Sequence, residues 1–160
     1  MQIIDRLSAF RARMEEENMA VVIVPTADSH ASEYLADYFK TRQWLCGFTG
    51  SAGTLVVGRE EAALFTDGRY FIQAERQLAG TGVKLMRMGV AGVPSVEEYV
   101  VSLAKNAGSV GIDFSLVSSK FAADLSDNLA SCEVALRDTG DWFADLWEDR
   151  PAMPQEKVFL

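Results

Sequence analysis

A single histidine, His30, stands in 160 residues, and that scarcity leaves little room for metal or general-base chemistry. Catalytic and metal clusters usually recruit several histidine and carboxylate groups at defined spacings. Cysteine is nearly as rare. Cys46 and Cys132 have no CxxC spacing and no neighbouring histidine, so they read as two buried reduced thiols rather than a disulfide or a metal pair. No run of lysine and arginine gathers positive charge, and a formal net charge of -8 would repel a phosphate backbone, which excludes nucleic acid as a partner. The start "MQIIDRLSAFRARMEEENM" lacks a basic segment followed by an apolar one, and the longest apolar run, "MAVVIVP", is far short of the ~20 residues that span a bilayer. The chain therefore reads as soluble, unsecreted and cytoplasmic, with no membrane partner.

What is present is a good core. A chain of this length with 49% hydrophobic residues buries one core and rarely two, so residues 1–150 are read as one domain. The end, "EDRPAMPQEKVFL", holds Pro151 and Pro154; these close the last helix and send residues 151–160 outward as a linker. Ile3, Leu7, Phe10 and Met14 recur at helical spacing and predict a first helix ending near Glu17. "AVVIV", Ala20 to Val24, predicts a strand buried on both faces. "TLVVG" and "AALFT" predict a hairpin between Thr54 and Thr66. A helix from about Gly68 to Leu78 and a strand from Val83 to Met88 follow. Ser95 and Glu98 make a capping box behind Pro94, at the head of a helix carrying Tyr99, Val100 and Leu103. "SVGID" and "CEVAL" predict two more strands around a helix with Phe121, Leu125 and Leu129. Trp142, Phe143, Leu146 and Trp147 form the apolar face of a closing helix. A hairpin set among βα units implies a mixed sheet, and the predicted fold is an α/β class, three-layer α/β/α sandwich around it.

The stretch "GFTGSAGT" decides how much chemistry to expect. Gly47, Gly50 and Gly53 are spaced G-x-x-G-x-x-G and lead into a strand, whereas the dinucleotide fingerprint needs G-x-G-x-x-G leading into a helix, and a P-loop needs Lys after its last glycine. A nucleophile elbow would need a glycine at Thr49 and a helix after Ser51. Ser51 therefore reads as a turn residue, and the glycines as positions of positive φ or close backbone approach at the mouth of the hairpin. "DSHASEY" sets Asp28, His30, Glu33 and Tyr34 just past the carboxyl end of the first strand, the edge at which open α/β sheets bind partners; it is either a contact surface or a solvated loop. In "TDGRYF", Asp67 is placed to cap the next helix and Arg69 falls in its first turn, where the dipole disfavours a cation. Arg69 either pairs with a local acid or reaches a partner or ligand carboxylate.

Taken in order, "DSHASEY", "WLCGFTGSAGTLVV", "AALFTDGRYFIQAERQL", "LMRMG" and "LWEDRPAMP" resemble the amino-terminal domain of the Xaa-Pro aminopeptidases in the creatinase/prolidase group. The resemblance spans most of Asp28 to Pro154. It implies the creatinase amino-terminal fold with its ribonuclease H-like motif. It also implies a parent metallopeptidase that releases the residue ahead of a proline. In that family a separate carboxy-terminal domain does the chemistry with two divalent metals, usually manganese, held by aspartates, a histidine and glutamates. That domain is not expected within this chain, so no catalytic residue, metal ligand or cofactor is expected here, and the chain is expected to be the leading part of a longer protein. The resemblance further implies a homodimer, contact with the protein's own catalytic domain, and a peptide substrate near the domain interface. Asp28, His30, Glu33, Tyr34, Arg69 and Tyr70 are the positions onto which those roles carry.

Three functions are thus in play: a non-catalytic assembly and substrate-access domain of an Xaa-Pro aminopeptidase, a free-standing α/β module for a small metabolite, and a stand-alone hydrolase. The last needs Ser51 and His30 within hydrogen-bond reach.

Overall fold

The computed structural model describes residues 1–105 and 108–156; the tail expected as linker is described only to residue 156, and the rest of it lies outside. The uninterrupted apolar run becomes β1 (Met19–Pro25), whose first six residues are all buried. It sits inside a six-stranded sheet of order β4-β3-β2-β1-β5-β6, formed with β2 (Thr54–Gly58), β3 (Ala62–Thr66), β4 (Val83–Arg87), β5 (Ser109–Ile112) and β6 (Leu136–Asp138). β1 pairs antiparallel with β2 and parallel with β5. β2 pairs antiparallel with β3, β3 parallel with β4, and β5 parallel with β6. β2 alone therefore runs against the other five, and the sheet is mixed as predicted.

Two cores cover the two faces. One collects Leu7, Phe10 and Met14 of α1 (Ile3–Glu16), Trp44 and Leu45 of α2 (Thr41–Cys46), Ala74 and Leu78 of α3 (Phe71–Leu78), and Trp142 and Phe143 at α6 (Phe143–Leu146). The other collects Tyr99 and Val100 of α4 (Val96–Ala104) and Leu125 and Leu129 of α5 (Ser119–Ala130). Val22 and Val24 face the first core, Val21 and Ile23 the second, the period-two alternation of a strand covered on both sides. Ala20 and Val21 break that alternation by sharing a core, and the pairing with β5 shifts register at the same place, between Met19 and Val21. The three-layer arrangement is the one the sequence predicts.

Local signals explain most boundaries. Ser95 Oγ accepts from the Glu98 amide at 3.1 Å while the Glu98 carboxylate accepts from the Ser95 amide at 2.9 Å, so the capping box opens α4 as read. Three predicted boundaries are corrected. The segment taken as loop between β1 and β2 contains a 3-10 turn, Asp37–Phe39, and α2; six residues are too few for a periodicity to show. "CEVAL" is not the last strand: Glu133 takes φ +59 in a turn and β6 begins at Leu136. The third helix starts at Phe71, three residues after Gly68, with Tyr70 as its N-cap.

The strand directions set where the loops meet. Pro25 pairs with Thr54 and Thr54 with Phe65, so the ends of β1 and β3 and the start of β2 share one edge. Gly47–Gly53 must enter β2 there. Only Gly47 of its three glycines has positive φ, at +80, where it ends α2 with its amide on the Gln43 carbonyl at 2.8 Å. The other two are needed for space. A Cβ on Gly50 would lie 2.2 Å from Phe48 Cζ, and one on Gly53 3.1 Å from the Phe65 carbonyl oxygen.

Gly53→Val is expected to cost about 1–3 kcal/mol, because backbone cannot retreat from the added branches. Ser51→Ala, on the same loop but exposed, is expected to cost less than about 1 kcal/mol. Urea midpoints of the two variants check the order, and a larger loss for Ser51→Ala would contradict the packing argument.

Candidate functional site

At the edge where β1 and β3 end, one side chain organises the glycine loop. Arg42, on α2, is 3% exposed. It donates through Nη1 to the Phe48 carbonyl at 2.5 Å, through Nη2 to the Gly50 carbonyl at 2.5 Å, and through Nε to Thr26 Oγ1 at 3.0 Å. Thr26 Oγ1 in turn donates to the Gly53 carbonyl at 2.6 Å. The guanidinium also lies 4.9 Å over the Phe48 ring, and no carboxylate pairs with it among the described residues. Burial pushes its pKa below the ordinary value, and the same burial pushes the Cys46 thiol up. Cys46 is thus the buried free thiol expected, while Cys132 is only half-buried.

The rest of the loop is tied to β3 and α3. Thr66 Oγ1 donates to the Ala52 carbonyl at 2.7 Å, and the Ser51 and Tyr70 hydroxyls meet at 2.6 Å. Thr49 Oγ1 accepts from Gln73 Nε2 and Gln77 Nε2, both at 2.9 Å, and the Thr49 amide donates to Gln77 Oε1 at 2.9 Å. Phe48 and Tyr70 meet edge-on with centroids 5.8 Å apart. Beside this frame lies a cavity of about 240 Å3 whose lining includes Glu33, Tyr34, Arg42, Thr49 and Ser51.

The predicted site residues divide on this geometry. Glu33 and Tyr34 line the cavity, with Tyr34 85% exposed. Tyr70 joins it through Ser51, and the Arg69 guanidinium stacks 5.2 Å over the Tyr70 ring. Asp28 serves its own loop: it is buried, and its Oδ1 accepts from the amides of His30 and Ser32, each at 2.9 Å. Those bonds, Ser32's foremost, hold its carboxyl below the usual carboxylate range. His30 is exposed and does not line the cavity. Ser51 is partnered by a phenol rather than an imidazole, so the geometry does not assemble the serine–histidine pair a hydrolase would need.

Two expectations for "TDGRYF" are corrected. Arg69 precedes the helix instead of sitting in its first turn, and Asp67 does not cap α3. Asp67 Oδ1 instead accepts from the Arg69 amide at 3.0 Å and from Arg69 Nε at 2.9 Å, and Oδ2 from Nη2 at 2.8 Å. This is the local ion pair, made bidentate. The Arg69 guanidinium, and then its amide, hold the Asp67 carboxyl down at about 2, and the carboxylate pushes the Arg69 pKa up. Nη1 of Arg69 keeps no partner among the described residues.

Sequence reasoning missed Arg42, Thr26, Thr49, Gln73 and Gln77. One signal was available for Arg42: a lone cation in "TRQWLC", a short segment otherwise rich in large apolar residues. Among the described residues no group of three or more histidine, cysteine, aspartate or glutamate side chains could hold a metal, and no helix is long and apolar enough to cross a membrane.

Comparison with known proteins places this geometry in context. The model of the Creatinase/Prolidase N-terminal domain matches residues 6–146. The probable Xaa-Pro aminopeptidase P of Neurospora crassa is 43% identical over 159 residues, which is 98% of this chain and 23% of that protein. The crystal structure of X-prolyl aminopeptidase from Caenorhabditis elegans, described as a cytosolic enzyme with a di-nuclear active site, superposes with a TM-score of 0.89 at 30% identity, over 96% of this chain and 27% of its own. The N-terminal domain of the cytoplasmic peptidase PepQ from Mycobacterium tuberculosis superposes at a TM-score of 0.63 and 23% identity, over 89% of this chain and 98% of its own. That likeness concerns the fold alone. The chain spans about a quarter of the length of the curated relatives it matches.

Arg42→Met leaves two carbonyls and a hydroxyl without their donor and is expected to lower unfolding free energy by about 3–5 kcal/mol. Arg42→Lys, keeping charge but not the fork, should lose about 1–3 kcal/mol; denaturant titration of both variants reads the difference.

For Asp67, a folded pKa of about 2 against an ordinary ~3.9 means the ion pair's contribution is fully present above about pH 4 and lost as pH falls through 2. The Asp67 carboxyl carbon should titrate near 2 by NMR, and Arg69→Gln should raise its midpoint toward the ordinary ~3.9 without reaching it, because the amide of residue 69 still donates to Oδ1. An unchanged midpoint in the variant would remove the ion pair as the cause.

Proposed function

The chain belongs to the creatinase/prolidase N-terminal domain family, and from that premise we propose that it serves as the non-catalytic N-terminal domain of an Xaa-Pro aminopeptidase, a metal-dependent hydrolase that releases the residue ahead of a proline. The family relation supports a peptidase parent, and the short span of the chain against its relatives supports a further domain that carries the chemistry. The residues here do not fit a two-metal centre: the sole histidine lies on an exposed loop, and no cluster of ligands accompanies it among the described residues. The metals, manganese in this proposal, would belong to that further domain, and no step of hydrolysis is assigned to this chain.

What this chain contributes, on this reading, is a rigid wall at a domain or subunit interface. The observation that carries it is the contrast at the sheet edge. Tyr34, 85% exposed, and Arg69, whose side chain is 70% exposed, stand on or beside a loop that the buried Arg42 holds in place. Interfaces favour tyrosine and arginine because both present large, orientable contacts. Arg69 uses Nε and Nη2 on Asp67, which orients the fork and leaves Nη1 for a carboxylate or carbonyl across the interface. Partners in this proposal are the protein's own catalytic domain, a second copy in a homodimer, and the peptide substrate where they meet. The compartment is the cytoplasm, as described for the nematode relative.

Arg69→Lys and His30→Ala are expected to leave the melting temperature of the 160-residue chain nearly unchanged. In the longer protein they should lower kcat/KM on an X-Pro peptide, or dimer affinity, by about tenfold, worth ~1.4 kcal/mol. The chain alone, supplied with manganese, should show no turnover. Turnover by the pure chain, or variants that unfold it while sparing the longer protein's kinetics, would defeat the proposal.

A further inference from the structure

The opposite edge of the sheet, where β1 begins and β2 ends, holds charge that the glycine loop does not use. Val21 pairs with Gly58 there, and an open cleft of about 650 Å3 is lined by Ser8, Arg11, Ala12, Glu15, Asn18 and Arg59. Arg11, Ala12 and Glu15 follow Ser8 by three, four and seven residues on α1, so the four share one helical face. All six lining residues are accessible: Arg11 is half-buried and the other five are exposed.

Two guanidiniums reach this cleft from different elements, and main-chain carbonyls orient both. Arg11 donates through Nε to the Gly58 carbonyl at 3.0 Å. Arg59, the residue after that carbonyl, donates through Nε to the Met19 carbonyl at 3.4 Å and through Nη2 to Asn18 Oδ1 at 3.3 Å. Both Nη groups of Arg11 and Nη1 of Arg59 keep no partner among the described residues, and neither cation pairs with a carboxylate there. Glu15 stands one turn beyond Arg11 without pairing with it, since the Arg11 Nε is engaged by the strand. Burial lowers the Arg11 pKa with no acid opposing it, so an anion brought to this fork meets a charge the fold leaves uncompensated. The cleft therefore presents two cations and one anion. Its complement carries two anionic groups and one cationic group, and planar carboxylates match guanidinium forks.

We propose that this cleft binds an acidic α-amino acid, its two carboxylates on Arg11 and Arg59 and its ammonium on Glu15. The site lies at the other end of the strands from the interface proposed above and stands or falls without it.

L-Glutamate, glutarate and L-glutamine are the probes, titrated into the 160-residue chain at low ionic strength, where exposed charges are least screened, and read by amide chemical shifts. Glutamate should bind saturably and about tenfold tighter than either of the others, because glutarate lacks the ammonium and glutamine one carboxylate. The shifts should concentrate at Ser8, Ala12, Asn18 and Arg59. Glu15→Gln should weaken glutamate and tighten glutarate until the two bind alike. Arg59→Gln, at an exposed position, should leave the melting temperature nearly unchanged and lower glutamate affinity about tenfold. Arg11→Lys, which keeps the charge but not the fork, should lower it several-fold. Glutarate binding the unaltered chain as tightly as glutamate, a preference that survives Glu15→Gln, no saturable binding, or shifts confined to other surfaces would each overturn the proposal.

Discussion

A guanidinium buried without a carboxylate is a costly thing to place in a core, and the site at the sheet edge depends on how that cost is met. Arg42 is neutralised by no acid among the described residues; it is solvated by the Phe48 and Gly50 carbonyls and Thr26 Oγ1. Those carbonyls belong to a loop that could not otherwise satisfy them away from water. Charge and loop therefore solve one another's problem. The planar fork matches two carbonyls at once, and its face packs on Phe48. Phe48 in turn lies so close to Gly50 that no Cβ fits there. A single cation thus fixes the loop's carbonyls, its aromatic anchor and the identity of a glycine.

Strand direction explains why this loop is at the edge at all. Because β2 runs antiparallel to β1, it begins at the end where β1 stops, and the segment between them leaves and returns at that one edge. That segment passes through the 3-10 turn at Asp37–Phe39 and α2. Those short elements place Arg42 under the loop and Thr41 in the lining of another cavity, of about 160 Å3. Phe39 lines that cavity and the one beside the glycine loop, so one ring forms a wall of each.

The sequence showed the long-range frame better than the site. An apolar run, a hairpin pair and a capping box each carry their own pattern over several residues, and β1, β2 with β3, and the start of α4 stand where those patterns put them. Short elements carry no pattern: α2 and the three-residue β6 were missed or displaced. Tyr34 and Glu33 were legible as members of the edge because the end of β1 was. Arg42 was not, since its role comes from carbonyls six and eight residues onward that no side-chain motif announces. Arg69 was read in a helix that starts later than glycine and aspartate suggested; the Asp67 carboxylate holds the turn open by accepting the Arg69 amide itself.

That same turn bears on what the domain is for. A surface ion pair contributes little to stability, and the Asp67–Arg69 pair is exposed, so folding alone gives weak reason for its bidentate geometry. Its effect is directional: an otherwise mobile side chain is fixed with its face on Tyr70, whose hydroxyl is fixed on Ser51, on a loop fixed by Arg42. Rigidity thus runs from the buried cation outward to the exposed Arg69 guanidinium. Side chains ordered in advance lose less entropy when a partner arrives, and that gain is realised only where a second surface meets them.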